Sequence, residues 1–424
     1  MIAFLFKGVI RDWHRSLFPA LIVSIGVMLT VVMNCWIKGI FGDMIDYSAK
    51  FSTGHVKVVT RAYAENMDQV PIDLALTNAD DIVKNLRADF PSLHWGERIQ
   101  FGGLVDAPDE NGETRSQGSA IGMAIDLLSP SSSEIKRLNI EQALIRGNLP
   151  NNSGEILLSD DFARKLEVQP GQMVTMLSST MYGSMAMQNF TVSGTVKFGV
   201  MVMDKGALLM DISDAQKALD MQNAAGEILG YFPNEIYDDQ VAAKIKAEFN
   251  SEYSKPEDEF SPIMLQLRDQ NDLAGMIDYI SGMINVFIVV FVLAMSLVLW
   301  NAGLLAGLRR YGEMGLRLAI GENKSHVYRT LVYESIMIGI IGSVFGSAIG
   351  LGLAFILQIK GINIGNLMQN STLMFPNVFR ASITPSAYFI GFIPGLLSTV
   401  LGTMLSGIGI YRRKTAQLFK DLEV

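Results

Sequence analysis

The residue types that could do chemistry are few in this chain and poorly assembled. Gly321, Lys324 and Ser325, in "AIGENKSH", bring together the glycine, lysine and hydroxyl of a phosphate-cradling loop. Such a loop, G-x-x-x-x-G-K-[ST], needs its lysine directly after the second glycine, so that backbone N–H groups wrap the phosphates under the ammonium. Here Glu322 and Asn323 intervene, and no other segment supplies the pattern. Productive ATP binding by this chain is therefore not expected. His14, His55, His94 and His326 are scattered, without metal-ligand spacing. Asp160-Asp161 and Asp238-Asp239 read as solvated surface or helix caps rather than as a general acid/base couple. There is no G-x-S-x-G elbow. One cysteine, Cys35, rules out an intramolecular disulfide. No catalytic residue, metal site or cofactor of its own is expected.

The elements around these residues point to a membrane. The chain has 424 residues, is 49% hydrophobic and has a mean hydropathy of +0.28. Its apolar residues are concentrated in runs without charge: Ser16 to Ile37, Tyr279 to Leu308, Ser335 to Ile359 and Ala381 to Tyr411. Each meets the ~20 residues needed to cross a bilayer as a helix. The expected spans are 17–40, 276–306, 331–358 and 386–410. The first reads as an uncleaved signal anchor, because "VMNCWIKGIFGD" offers no small-x-small cleavage site.

Charge is sorted by segment. The tail 1–16, the 307–330 connection with its flank and the tail 411–424 hold twelve Lys/Arg and five Asp/Glu, whereas 41–275 holds nineteen and thirty-five. Basic residues stay on the cytoplasmic side of short loops. Both termini and the 307–330 segment are thus expected inside, with 41–275 and the 359–385 loop outside. The net charge of −8 averages an acidic outer domain and a basic inner rim, so it is no argument for nucleic acid. The expected fold is an α-helical membrane protein with four transmembrane helices, one before and three after a large α+β extracytoplasmic domain.

Within 41–275, "GHVKVVT", "RIQFGGLVDA", "EILLS", "QMVTML", "NFTVSGTVKFGV" and "GALLMDI" read as strands. "ADDIVKNLRADFP" reads as a helix capped by Thr77 or Asn78 and stopped by Pro91, "SDAQKALDM" as one capped by Ser213, and 238–249 as another. Two subdomains are expected. The serine-rich runs 129–133 and 178–180 read as loops, and "SKPEDEFSP" as a linker returning to a helix. The amino end, with Lys7, Arg11 and Arg15 on one helix face, reads as an interfacial helix that Pro19 separates from the first span.

Two segments invite packing or docking. Gly342, Gly346 and Gly350 recur every four residues in the third span, a face that lets another helix approach closely. Pro394-Gly395 predicts a kink in the fourth. Between spans two and three, "GEMGLRLAI" predicts a short helix with an apolar side and Arg317 exposed, ended by Gly321. Tied to two spans, it could pass a push from a soluble partner into the membrane.

These stretches carry a resemblance. "EMGLRLAIG…YRTLVYESIMIGIIGSVFGSAIGLGLA" resembles the signature of the FtsX-like, MacB-type (type VII) ABC transporter permeases. "TGHVKV" and "LIRGNLP…GEILLSDDFARKLEVQPGQMVTML" resemble the lipoprotein-releasing LolC/LolE subgroup. The resemblance implies that Glu313, Gly315, Arg317, Ala319, Gly321 and Glu334 fall on the motif that couples to an ATPase. Tyr311-Gly312 and Glu322-Asn323 depart from the family pattern, which puts in doubt which ATPase is accepted. It also implies two ABC ATPase subunits carrying ATP and Mg, a second permease copy or relative, a periplasmic lipoprotein carrier, and a bacterial inner membrane. An apolar cargo cavity would be lined by Met28, Met33, Met283, Phe287 and Met295, since methionine adapts to varied acyl shapes. A mechanotransmission permease that moves no substrate through its own spans is the alternative, and a membrane-anchored sensor without an ATPase the remote one.

Overall fold

The computed structural model describes residues 13–109, 111–130, 132–198, 201–270, 273–308, 310–363 and 378–408. The interfacial helix expected over 1–16, the 411–424 tail and the middle of the 359–385 loop lie mostly outside these. The chain divides into two compact units. One takes in Asp43–Asp278; the other combines the chain before residue 43 with Tyr279–Ile362 and the residues from Val378 onward.

Among the described residues, four helical segments are long and apolar enough to cross a membrane: Leu17–Thr53, Leu273–Ala319, Lys324–Lys360 and Ala387–Gly407; they are called spans 1 to 4 below, with span 2 taken as its unbroken helix Leu273–Leu308. Pro19 lies inside the helix that begins at Trp13, and so does not separate the span from what precedes it. Span 4 carries its irregularity where Pro394 removes a backbone donor. Residues Ile393–Ser398 widen into a π-helical turn there.

The Asp43–Asp278 unit is built on one strand, His94–Pro108, long enough to serve two lobes. Its first half pairs with Glu227–Tyr231, which leads on through Val56–Thr60 to Pro262–Gln266, all antiparallel. Helices Ala79–Asp89 and Asp239–Tyr253 supply apolar side chains to this lobe's core, among them Val83, Leu86 and Phe249, which join Val56, Ile228 and Met264. The second half pairs with Thr114–Ile125 and Met173–Ser179. From there Ala207–Asp211, Glu155–Ser159 and Met185–Val196 complete a ring of six strands. Ring closure removes the open edges that a sheet would expose. Ile99, Phe101, Val105, Val174, Phe190 and Leu208 belong to the core of this lobe.

Several local readings change. The "SKPEDEFSP" segment does not return to a helix but feeds strand Pro262–Gln266, which pairs with Val56–Thr60. The helix at 212 is capped by Asp211, whose carboxylate accepts from the Ser213 N–H. Asn78 holds the N-cap position in a left-handed conformation, φ 56°, without a side-chain cap bond. Ser178 and Ser179 belong to a strand. Asp160 is buried rather than solvated, and is held by Arg146, Arg164 and Thr195. Asp238 does cap its helix, accepting from Gln240 and Val241.

A cluster of buried charge sits where the span 1 helix gives way to the first strand. Arg98, 1% exposed, donates to the carbonyls of Phe51 at 2.7 Å and Lys50 at 3.2 Å, and pairs with Glu134 at 3.4 Å. Arg137 also pairs with Glu134 and lies over the Tyr231 ring at 3.8 Å. Beside it, buried His55 accepts the Phe232 N–H on Nδ1 at 2.9 Å. Burial, with help from Lys50 and Arg137, pushes its pKa down to about 4.

Candidate functional site

The helix between spans 2 and 3 runs Tyr311–Ala319. Tyr311, Met314, Gly315 and Leu318 follow the i, i+3, i+4, i+7 spacing of one helix face. Tyr311, Met314 and Gly315 are buried; Tyr311 and Met314 join Val327 and Leu331 in an apolar cluster against which Leu318 and Tyr328 pack. The Tyr311 hydroxyl donates to the Ser406 carbonyl of span 4. The short helix is thereby anchored to spans 3 and 4. Its other face presents Glu313, Leu316, Ala319 and Ile320, with Leu316 54% and Ile320 79% exposed.

Its end follows from Gly321, at φ +101°. Only glycine takes that conformation without steric cost. Glu322 N–H donates to the Arg317 carbonyl and Gly321 N–H to that of Leu318, both at 3.1 Å. This is the Schellman pattern, and it satisfies carbonyls that a helix end leaves over. Asn323 then caps span 3, accepting from Ser325 N–H at 3.1 Å. Gly321, Lys324 and Ser325 are thus a C-cap, a first helical residue and a capped donor.

Arg317 is not the freely exposed side chain expected. Its Nε and Nη2 donate to both carboxylate oxygens of Glu322 at 2.6 and 2.7 Å, and His326 Nδ1 lies 2.5 Å from the same carboxylate. The Arg317 guanidinium first, then His326, hold the Glu322 carboxyl below the usual carboxylate range. Glu322, noted only as a departure from the family pattern, is thus the residue that locks the corner. Glu334, on span 3, pairs with Arg310 at the end of span 2.

The glycine stripe receives span 1 of the same chain. A Cβ added at Gly342 would lie 2.7 Å from Val23 Cβ, one at Gly346 2.8 Å from Val27 Cβ and one at Gly350 3.0 Å from Val31 Cβ. Spans 2 and 4 meet likewise, with Gly303 against the Thr399 carbonyl and Gly402 against that of Trp300. Spans 1 and 2 touch where Met295 and Leu299 close over Gly26.

The five expected cavity liners are not brought together. Met28 backs onto Gly350, Met33 is 38% exposed, and Met295 is packed over Gly26. Met283 and Phe287 lie on an apolar groove along span 2. The large cavity of this unit, about 600 Å³, is elsewhere and includes none of the five. It is lined by Glu313 and Glu334, which the sequence marked only for coupling, and by residues that the sequence reading did not single out, among them Asn301, Arg310, Thr399 and Thr403. The only signal for it was opposite charges at the facing ends of two apolar runs, Arg310 and Glu334. Among the described residues, no group of His, Cys, Asp and Glu could hold a metal ion.

Comparison with known proteins adds a family. The description "MacB-like periplasmic core domain" matches residues 16–248, more than half of the chain, and "FtsX-like permease C-terminal" matches residues 285–415. An uncharacterized ABC transporter permease of Methanocaldococcus jannaschii is 24% identical over 179 residues, 41% of this chain. The match spans only 42% of that relative's length. The crystal structure of the periplasmic region of MacB from Actinobacillus actinomycetemcomitans aligns with a TM-score of 0.35 and 11% identity, over 55% of this chain and 95% of that one. On the two family matches, the chain belongs to the FtsX-like permeases that carry a MacB-like periplasmic core domain.

Proposed function

We propose that this chain is the permease subunit of an ABC transporter of the bacterial inner membrane, with both termini cytoplasmic. It would couple ATP hydrolysis by two copies of a separate ATPase subunit, which carry the ATP and Mg, to extraction or release of lipoproteins or related lipidic cargo. A second permease copy or relative would complete the assembly, and a periplasmic carrier would receive the cargo. The observation that carries this reading is the face of Glu313, Leu316, Ala319 and Ile320 on a helix whose opposite side is anchored to spans 3 and 4. A docked ATPase would cover its exposed apolar side chains, and displacement of the helix would pull on spans 3 and 4.

The second reading, a mechanotransmission permease that drives a periplasmic partner, is favoured by the closure of Met295 and Leu299 over Gly26. Cargo entering between spans 1 and 2 would have to open that contact.

Purification from native membranes in mild detergent, with mass spectrometry of what accompanies the protein, tests the reading. An ABC ATPase is expected with the wild type and is lost from Leu316→Asp and Ile320→Glu. No ATPase under any gentle condition would overturn it. Tryptophan at Met295 or Met33 separates the two forms: loss of transport with ATPase activity intact favours lateral cargo entry, and unchanged transport favours mechanotransmission.

A further inference from the structure

The helix Tyr311–Ala319 carries one cation, Arg317, and the corner that ends it carries the acid that takes this cation up. At about 100° per residue, Leu316 and Ile320 share the exposed side of the helix and Arg317 flanks them. A free guanidinium in that place would offer an anchor to a partner's carboxylate. Instead its Nε and Nη2 meet both oxygens of Glu322 at 2.6 and 2.7 Å, the parallel two-bond arrangement that matches a guanidinium to a carboxylate.

Exposed ion pairs ordinarily contribute little, because two long side chains must be held in one geometry. Here the backbone does the holding. Gly321 at φ +101° turns the chain back, and the Glu322 N–H donates to the carbonyl of Arg317 itself at 3.1 Å. The two residues are thus joined by backbone and by side chain, and His326 reaches the same carboxylate from span 3 at 2.5 Å. The corner itself does not call for a carboxylate at 322. Gly321 makes the helix end and Asn323 caps span 3. What Glu322 adds is a neutralised flank beside two large exposed apolar side chains, Leu316 and Ile320.

We propose that Glu322 selects the partner: by taking up Arg317 it fits this face to an ATPase groove that is apolar around Leu316 and Ile320 and presents no carboxylate to Arg317. The inference rests on the reading of this helix as the ATPase dock, and goes beyond it in assigning the chemistry of the groove. Its basis is the cost of desolvation. A guanidinium released from Glu322 and covered by an apolar groove loses water and finds no acceptor. A groove with a carboxylate at that place would bury its own charge against an already paired cation, and is rejected for the converse reason.

The test is the ratio of ABC ATPase to permease after purification of the full chain from native membranes in mild detergent, measured by mass spectrometry with isotope-labelled peptides. Glu322→Ala frees Arg317 and is expected to lower the ratio about tenfold or more, as when one member of a covered charge pair is left alone. Combining it with Arg317→Met removes the guanidinium along with its acid and keeps Gly321 and Asn323. That double variant is expected to return to within about threefold of the wild type, the scatter of ordinary surface changes. A double variant as depleted as the single one would mean that the pair serves the corner, or that Arg317 itself touches the ATPase, and overturns the proposal. An undiminished ratio in Glu322→Ala does the same. Should Glu322→Ala fail to accumulate, Glu322→Gln takes its place. It keeps the size of the side chain and a hydrogen bond to Arg317 but not the charge, so loss supports the proposal and full retention sinks it. Wild-type protein without an ATPase overturns the docking reading and this inference with it. Wild type that holds its ATPase, with either failure among the variants, overturns this inference alone.

Discussion

Replacing Gly346 by alanine is the sharpest test of how the spans are held together. The new Cβ would lie 2.8 Å from Val27 Cβ and closer still to the Ser24 carbonyl oxygen. Carbon atoms rest at about 3.5–4.0 Å, so the overlap is roughly 1 Å. The obstructing atoms are backbone or rigidly attached to it, and no rotamer change relieves them. Spans 1 and 3 must move apart, at a cost of about 1–3 kcal/mol for an overpacked contact. Gly352→Ala is the matched control, since nothing lies within 4 Å of a Cβ there. Both glycines are inside the same helix, Lys324–Lys360. The gain in helix propensity, up to about 1 kcal/mol, is therefore common to both, and the difference between the variants isolates packing. Equilibrium unfolding from detergent micelles into dodecyl sulfate, followed by circular dichroism, measures it. Two variants within about 0.5 kcal/mol of each other, the scatter of ordinary surface changes, would refute the stripe as the seat of span 1.

Gly321→Ala places a side chain at φ +101°, where open space surrounds the Cβ, so the cost is backbone strain alone. About 1–2 kcal/mol of local destabilisation is expected, read as faster amide exchange across the corner without global unfolding. Arg98→Met leaves Glu134 buried with Arg137 and takes donors from the Phe51 and Lys50 carbonyls. Because Glu134 keeps Arg137, the expected loss is that of two carbonyls deprived of their Arg98 donors, about 1–3 kcal/mol each, measured as the unfolding midpoint of the α+β unit by intrinsic fluorescence. His55 is neutral when folded, its pKa lowered to about 4 from an ordinary 6.5. The unfolded chain therefore binds the proton first, and the contribution is present above pH 6.5 and lost as pH falls toward 4. It amounts to about 3 kcal/mol at most. His55→Gln should flatten the stability profile between those pH values, and an unchanged slope would clear His55 of the role.

Legibility in the sequence followed the range of the forces involved. The spans were readable because crossing a bilayer demands long uninterrupted apolar runs, a property of composition alone. Strands such as Glu155–Ser159 and the Gly321 stop were readable because local backbone preference and the chain's own side chains decide them. The linker before Pro262 was misread as leading to a helix, because its strand exists only by pairing with Val56–Thr60, some two hundred residues away in sequence. Asp160 was misread as solvated for a similar reason. Asp160 opens the helix Asp160–Lys165, and one of the cations paired with it, Arg146, comes from the separate strand Leu144–Gly147.

At the candidate site, the residue types at 313–321 marked a short helix with one apolar side, but not the state of its side chains. Whether Arg317 points to a partner or closes on Glu322 depends on a turn geometry that only the folded corner supplies. The apolar methionines of spans 1 and 2 suggested a cavity because they are adaptable. The actual cavity lies where the packing of four helices leaves a gap, and no single helix encodes that. What the sequence alone determined about this protein is which segments are long and apolar enough to cross a membrane, where the short helix ends, and that one face of span 3 could be approached closely. That span 1 of the same chain makes that approach, and that Arg310, Glu334 and Thr399 line one cavity, was decided by tertiary structure. Helix partners are chosen by fit between surfaces far apart in the chain, and that fit has no local signature.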